Sequence, residues 1–202
     1  HGVFYEFAPM KNGTIQTEKI IPLQEVEINK IYAMIITTNG GLWRYQIGDT
    51  VSFTSLHPYK IKISGRTQSF INTFGEEVNE DNTNKAINYA CLHTNSIIKE
   101  YVAGPCFYAN KSGAHEWLIE FKKKPNNIEK FHHLLDDRLQ TLNSDYEAKR
   151  YKNILLKPPI IHVVKNNFFY NILKQKNKIG GQNKIQRLYN TRKFIAQLIE
   201  KL

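Results

Sequence analysis

A single apolar stripe constrains this sequence more than any other feature. Ile128, Phe131, Leu135, Leu139 and Leu142 fall at i, i+3, i+7, i+11 and i+14, the spacing that lines one side of an α-helix. A helix with one apolar side needs a flat surface to bury it. Just upstream, residues 115–121 (HEWLIEF) alternate, so Trp117, Ile119 and Phe121 point one way from a strand. Helix and strand together predict an α+β segment.

The neighbouring elements extend that pattern. Residues 68–73 read as a strand broken by Gly75, and residues 79–92 as a helix. Asn79 suits its N-cap, Glu80 and Asp81 suit its first turn, and Ala86, Ile87, Ala90 and Cys91 form its apolar face. Residues 96–108 predict a long strand bent at Gly104 and Pro105, followed by a turn over 110–113. A last strand spans 158–164 and a short helix 166–176. Asn190 is expected to cap a final helix, with Phe194, Ile195, Leu198, Ile199 and Leu202 on its core side. From Gln68 the order is therefore β-α-β-β-α-β and then two helices, a small sheet with helices packed on it.

The first third is β-rich. Residues 3–7 form a short aromatic strand that includes Glu6. Gly13 turns the chain. Residues 20–26 and 31–38 read as strands, and 49–55 pairs with 60–64 across His57 and Pro58. The stretch 41–49 reads as a bent loop, because its apolar residues alternate poorly.

The 202 residues suffice for one large or two small domains. At 41% hydrophobic and 12% aromatic, the chain can bury a core. Two cysteines, Cys91 and Cys106, make no disulfide framework, which points to a reducing cytoplasm. No apolar run is long enough to cross a membrane. The N-terminus lacks an initiator Met and reads as a start within a longer protein. A formal charge of +10 admits nucleic acid, anionic membrane or nucleotide partners. Usage of Lys, Asn and Ile is high throughout and no lysine run dominates, so compositional bias accounts for the charge better.

Two stretches carry the strongest candidates for chemistry. In GLWRYQIGD, residues 41–49, Gly48 precedes Asp49. A carboxylate beside a flexible backbone accepts hydrogen bonds from paired sugar hydroxyls, each worth roughly 1.5–3 kcal/mol. In SGRTQSFINTFGEEV, residues 64–78, Arg66 follows Gly65, and a guanidinium there forms a planar fork for phosphate. Singly, a Gly-Asp is usually a turn and a Gly-Arg a solvated loop; their order and spacing say more. Near the tail, GGQNKIQRL, residues 180–188, sets Lys184 behind paired glycines, with Lys178 as a competing lysine. By its composition alone this is a solvated basic loop. No zinc spacing, Walker-type loop or reactive cysteine with a base partner is present. Glu76 and Glu77 read as carboxylates favoured by a following helix N-terminus.

These stretches, with HEWLIEF and LNSDYEAKR at 142–150, resemble the adenylate-forming enzymes. More closely, they are similar to the acyl acid-amido synthetases of the auxin-responsive "Gretchen Hagen" family, in its bacterial form. Five motifs in order cover most of the chain. The resemblance implies residues 1–64 as the β-rich end of an adenylation domain and 65–202 as a lid domain, with a hinge at 65–68. It implies an enzyme that converts a carboxylic acid and ATP to acyl-AMP and pyrophosphate, then passes the acyl group to an amino acid and releases AMP. Asp49 would hold the ribose, Tyr45 flank the adenine, Arg66 contact ribose or phosphate, and Lys184 act on the reacting groups. Tyr45 reads equally well as a core tyrosine. The family's Pro before the motif arginine is Gln186 here. Asn143, Tyr146 and Arg150 match signature positions and read as structural. The Ser/Thr-rich phosphate loop and the Mg²⁺ ligands are expected upstream, so this chain alone is expected to be inactive. Two rivals are an RNA-binding module, which a β-α-β-β-α-β order suggests, and a non-catalytic structural domain. No Lys/Arg-Gly-Phe-x-Phe strand supports the first.

Overall fold

The computed structural model describes residues 2–11, 14–67, 69–109, 111–175 and 185–202. The chain forms two compact units: His1–Phe70 with Asn79–Asp81, and Ile71–Val78 with Asn82–Leu202.

The first unit is an antiparallel sheet. Its strands are β1 (Val3–Lys11), β2 (Thr14–Ile15), β3 (Ile21–Pro22), β4 (Ile31–Thr38), β5 (Tyr45–Leu56) and β6 (Tyr59–Arg66). They lie in the order β2-β1-β4-β5-β6, with β3 also paired to β1. The β-branched run IYAMIITT makes β4 the middle strand, as its composition predicts. Phe7, Tyr32 and Phe53 meet edge to face, with ring centres 5.1–6.2 Å apart, and pack with Val26 and Val51. Residues 20–26 are not the strand that their apolar content predicts. Only Ile21 and Pro22 pair with β1, and single 3₁₀ turns at Thr17–Lys19 and Leu23–Glu25 flank them. Pro22 has no N–H to continue a ladder, so the segment turns over the sheet and drops Val26 into the core.

The second unit has its sheet at the centre. Strands β7 (Phe70–Ile71) and β8 (Val78–Asn79) lead into α1 (Glu80–Thr94). Then follow β9 (Ile97–Phe107), β10 (Gly113–Lys123), α2 (Ile128–Leu142), α3 (Ser144–Arg150), β11 (Leu156–Val164), α4 (Phe168–Gln175) and α5 (Arg192–Ile199). The sheet order is β11-β10-β9, with β9 antiparallel and β11 parallel to β10. The strand expected over 68–73 is only two residues long and lies outside this sheet.

Alternation along residues 115–121 does not leave one face wet. Every residue from Gly113 to Phe121 is buried. Trp117 and Ile119 join Ala86, Ile87 and Ala90 of α1, Phe131, Leu135 and Leu139 of α2, and Tyr146 of α3. Leu118, on the opposite face, joins Phe169 and Ile172 of α4 and Ile195 and Leu198 of α5. Of the predicted α2 stripe, Phe131, Leu135 and Leu139 are fully buried and Leu142 is partly buried against them, whereas Ile128 in the first turn is 38% exposed; Asn127 caps that helix by accepting from the Lys130 N–H at 2.9 Å. Each large side chain in this core contributes roughly 1.5–3 kcal/mol of hydrophobic stabilisation.

Three details differ from the sequence reading. The N-cap of α5 is Thr191, not Asn190. Asn190 Oδ1 instead accepts from the Asn72 N–H at 2.7 Å, tying down the turn after β7. Leu202 lies beyond the helix and is half-exposed. The predicted bend at Gly104 and Pro105 is absent, since β9 pairs continuously through both residues. Gly104 instead serves close packing: a Cβ there would lie 2.6 Å from Ile195 Cγ1 and 3.1 Å from the Tyr189 carbonyl oxygen.

Candidate active site

Asp49 lies on a distorted stretch of β5. Ala33 opposes Thr50 and Ile35 opposes Gln46, so two steps along β4 match four along β5. The surplus residues form a bulge at 47–49, and Gly48 occupies it at φ 84°, a backbone region that costs glycine nothing. The bent loop predicted for 41–49 is therefore a strand from Tyr45 onward, with its bend confined to this bulge. Thr67 holds the bulge from the far side, donating its N–H to the Gly48 carbonyl at 2.9 Å.

Asp49 and Arg66 are direct cross-strand partners on β5 and β6. Arg66 Nε lies 3.4 Å from Asp49 Oδ1. The Asp49 side chain is 35% exposed and that of Arg66 is 74% exposed. The carboxylate is thus oriented by a cation and still open to solvent. Tyr45 opens the same strand and is half-exposed, so it is not a core tyrosine. It stands opposite Ile36, which stands opposite Tyr5, giving a Tyr5, Ile36, Tyr45 row on one face.

An ion pair missed by the sequence reading lies beside Tyr45. Arg44 places Nε and NH2 each 3.0 Å from the two Glu6 oxygens, and its own N–H donates to Thr37 Oγ1. Arg44 sits at φ 44°, held by those bonds. The one sequence signal for it was a lone glutamate inside the aromatic strand of Glu6.

In the second unit the motif residues build a scaffold. Asn143 Oδ1 accepts from the Tyr146 N–H at 2.8 Å and caps α3, while its Nδ2 donates to the Glu77 carbonyl at 3.2 Å. Tyr146 and Arg150 both bond Asp136. Glu76, read from the sequence as a carboxylate favoured by a helix start, is fully buried. It accepts from His115 Nε2 at 2.8 Å and from the Phe74 N–H at 2.6 Å. Burial pushes its carboxyl pKa up, but the His115 hydrogen bond, the His115 charge and the backbone N–H donors outweigh that and leave it below the ordinary value. Lys184 and Lys178 lie outside the described residues. The described part of the motif resumes at Ile185, and Arg187 pairs with Glu100 through Nε at 2.8 Å.

Several other observations bear on function. Both faces of the three-stranded sheet are covered by helices, so that sheet offers no open face on which bases would stack as on an RNA-binding sheet. Cys91 and Cys106 are unpaired thiols. Among the described residues no helix is long and apolar enough to cross a membrane, and no group of three or more His, Cys, Asp or Glu could hold a metal ion.

The fold is similar to that of about a third of a solved acyl acid amido synthetase. The GH3.15 acyl acid amido synthetase superposes with a TM-score of 0.73 over 98% of this chain and 36% of that one, at 20% identity. Residues 81–193 match the GH3 family C-terminal domain and residues 1–66 the GH3 family central domain, so the chain belongs to the GH3 family. The indole-3-acetic acid-amido synthetase GH3.3 of Arabidopsis thaliana is 24% identical over 84% of this chain and 30% of the relative. The 4-substituted benzoates-glutamate ligase GH3.12 of the same plant is 23% identical over 96% of this chain and 36% of the relative. The chain spans about a third of the length of the curated relatives it matches.

Proposed function

We propose that this chain is the C-terminal portion of an ATP-dependent acyl acid-amido synthetase. A carboxylate attacks the α-phosphorus of ATP, forming acyl-AMP and releasing pyrophosphate. The amine of an amino acid then attacks the activated carbonyl, loses a proton and expels AMP. Activation is needed because a free carboxylate is a poor electrophile with no good leaving group.

In this reading Asp49 accepts hydrogen bonds from the ribose hydroxyls, and its exposure and its hold by Arg66 suit that task. Tyr45 flanks the adenine and Arg66 contacts ribose or phosphate. The Lys184 ammonium stabilises charge that develops on the reacting phosphate or carboxylate. The Mg²⁺ ligands, the phosphate loop and most of the acid pocket belong to sequence upstream, the N-terminal part that completes the enzyme. Residues 1–64 end the adenylation domain, and 65–202 form a lid that turns on the hinge 65–68. The protein works in the cytoplasm. Bacterial origin rests on the resemblance of the motifs alone; the relatives named above are from a plant.

The observation that carries the reading is the open Asp49 carboxylate, oriented by Arg66 on a bulged strand of a chain whose relatives are named as amido synthetases. Release of AMP from ATP, a carboxylic acid and an amino acid tests it. The isolated 202 residues are expected to release none. Joined to the N-terminal two thirds of a GH3 relative, they are expected to release AMP and to lose that activity on Asp49→Ala. Turnover by the isolated chain would remove the need for upstream sequence. Full activity in both Asp49→Ala and Lys184→Ala would make this a structural domain.

A further inference from the structure

Arg44 stands immediately before Tyr45 at φ 44°, in the left-handed region. A residue with a Cβ enters that region at a cost, and it stays there only where its surroundings hold it. Two neighbouring strands supply the hold. Thr37 of β4 accepts the Arg44 N–H on Oγ1 at 3.0 Å. Glu6 of β1 takes the guanidinium on both oxygens, with Nε 3.0 Å from Oε2 and NH2 3.0 Å from Oε1. A planar fork on a two-pronged acceptor fixes direction as well as distance, and the point charge of a lysine does not reproduce it. The Glu6 side chain is 18% exposed and that of Arg44 is 59% exposed, so the carboxylate is the anchored member.

The turn before Arg44 closes without this pair. Thr38 N–H donates to the Leu42 carbonyl at 2.8 Å, and Leu42 N–H to Thr38 Oγ1 at 3.4 Å. The residues beyond Tyr45 are held elsewhere. Gln46 stands opposite Ile35 on β4, Asp49 stands opposite Arg66 on β6, and the Gly48 carbonyl accepts from Thr67. Loss of the Glu6 carboxylate therefore lets Arg44 relax toward the strand region while the turn and the Asp49 bulge stay in place. Tyr45, the next residue, is the side chain that such a relaxation redirects.

Resting on the proposed placement of Tyr45 against adenine, we propose that Glu6 is a positioning residue. Acting through Arg44, it sets the angle at which Tyr45 leaves the turn, and with it the face that the ring offers to a purine. The grip of Asp49 on ribose does not depend on it.

The first arm of the test needs no nucleotide. 3-Fluorotyrosine built into the 202-residue chain gives each tyrosine a fluorine resonance, and Tyr45→Phe and Tyr146→Phe identify those two. Glu6→Gln keeps the size of the side chain and removes its charge. It is expected to shift the Tyr45 resonance and to leave that of Tyr146, in the core of the second unit, unmoved. The second arm measures AMP binding by calorimetry in the polypeptide completed with the N-terminal part of a GH3 relative. There Glu6→Gln is expected to weaken AMP binding about fivefold or more, as loss of base stacking requires. In a Tyr45→Ala background the same change is expected to alter it by less than about twofold, because its effect passes through the ring. Arg44→Lys keeps the positive charge without the fork. It is expected to repeat both results, and it serves if Glu6→Gln fails to fold. A Tyr45 resonance unmoved in a folded variant overturns the proposal. So does an unchanged AMP affinity, and so does equal weakening in both backgrounds, the mark of a general structural role. Absence of AMP binding by the unsubstituted polypeptide counts against the proposed function, and the fluorine arm still decides whether Glu6 governs Tyr45.

Discussion

Arg150 sets its guanidinium against Asp136, with Nε 2.9 Å from Oδ1 and NH2 2.5 Å from Oδ2. Tyr146 Oη donates to the same Oδ1 at 2.8 Å, and Arg150 NH1 reaches the Leu156 carbonyl at 2.9 Å. One carboxylate thus joins α2, α3 and the start of β11. Burial, and then the Asp136 charge, raise the Tyr146 phenol well above its ordinary pKa, so it stays a donor at every working pH. Removing one partner of such a pair leaves an uncompensated buried charge, costing about 3–5 kcal/mol. Asp136→Ala is therefore expected to lower unfolding free energy by about that amount in a urea titration. Tyr146→Phe removes one hydrogen bond and should cost about 0.5–1.5 kcal/mol.

Glu76 and His115 give the second unit an acid dependence. The folded carboxyl titrates below its unfolded value of about 4.3, so its stabilisation is complete above that pH. It is lost as pH falls through the lower folded pKa. Glu76→Gln should melt below the unsubstituted chain at pH 7, and the two melting curves should converge as the pH drops below about 4. Melting temperature followed against pH by circular dichroism checks this. His115 Nδ1 is buried without a hydrogen-bond partner among the described residues, so the ring is held through its Nε2 bond to Glu76.

Gly113 sits at the first position of β10 with no room above it. A Cβ would run into the Cys106 carbonyl oxygen and the Phe74 ring. Gly113→Ala should cost about 1–3 kcal/mol through overpacking, read by chemical denaturation.

Asp49 and Arg66 should separate stability from function. Their pair is largely exposed, and exposed pairs contribute roughly 0–1 kcal/mol. Asp49→Ala should therefore leave unfolding nearly unchanged. If Asp49 grips ribose, the same change should weaken nucleotide binding roughly 10- to 100-fold, as loss of one charge-assisted hydrogen bond requires. Calorimetric titration of AMP into the enlarged polypeptide measures it.

Much of this architecture can be read from periodicity. The middle of the α2 stripe follows from its helical period, and β4 from its β-branched run. The failures have local causes. Pro22 cancels a strand that apolar content alone predicts. Asn190 has the right chemistry for a helix cap but spends it on Asn72, a partner 118 residues away that no local rule reveals. Glu76 reads as a helix-start carboxylate, and its burial is not legible because the histidine that pairs with it lies on another strand. Asp49 and Arg66 each follow a glycine in the sequence, but that they pair across β5 and β6 is seen only in the fold. The pairs of Arg44 with Glu6 and of Arg187 with Glu100 were not legible, since ion pairs between distant segments leave no periodic trace.

The enclosure of β10 also limits what can be engineered into it. Every residue from Gly113 to Phe121 is buried, so an enlarged side chain anywhere along that run must displace packed neighbours, at a cost of about 1–3 kcal/mol. A label or affinity handle is better carried by an exposed helix position such as Leu92.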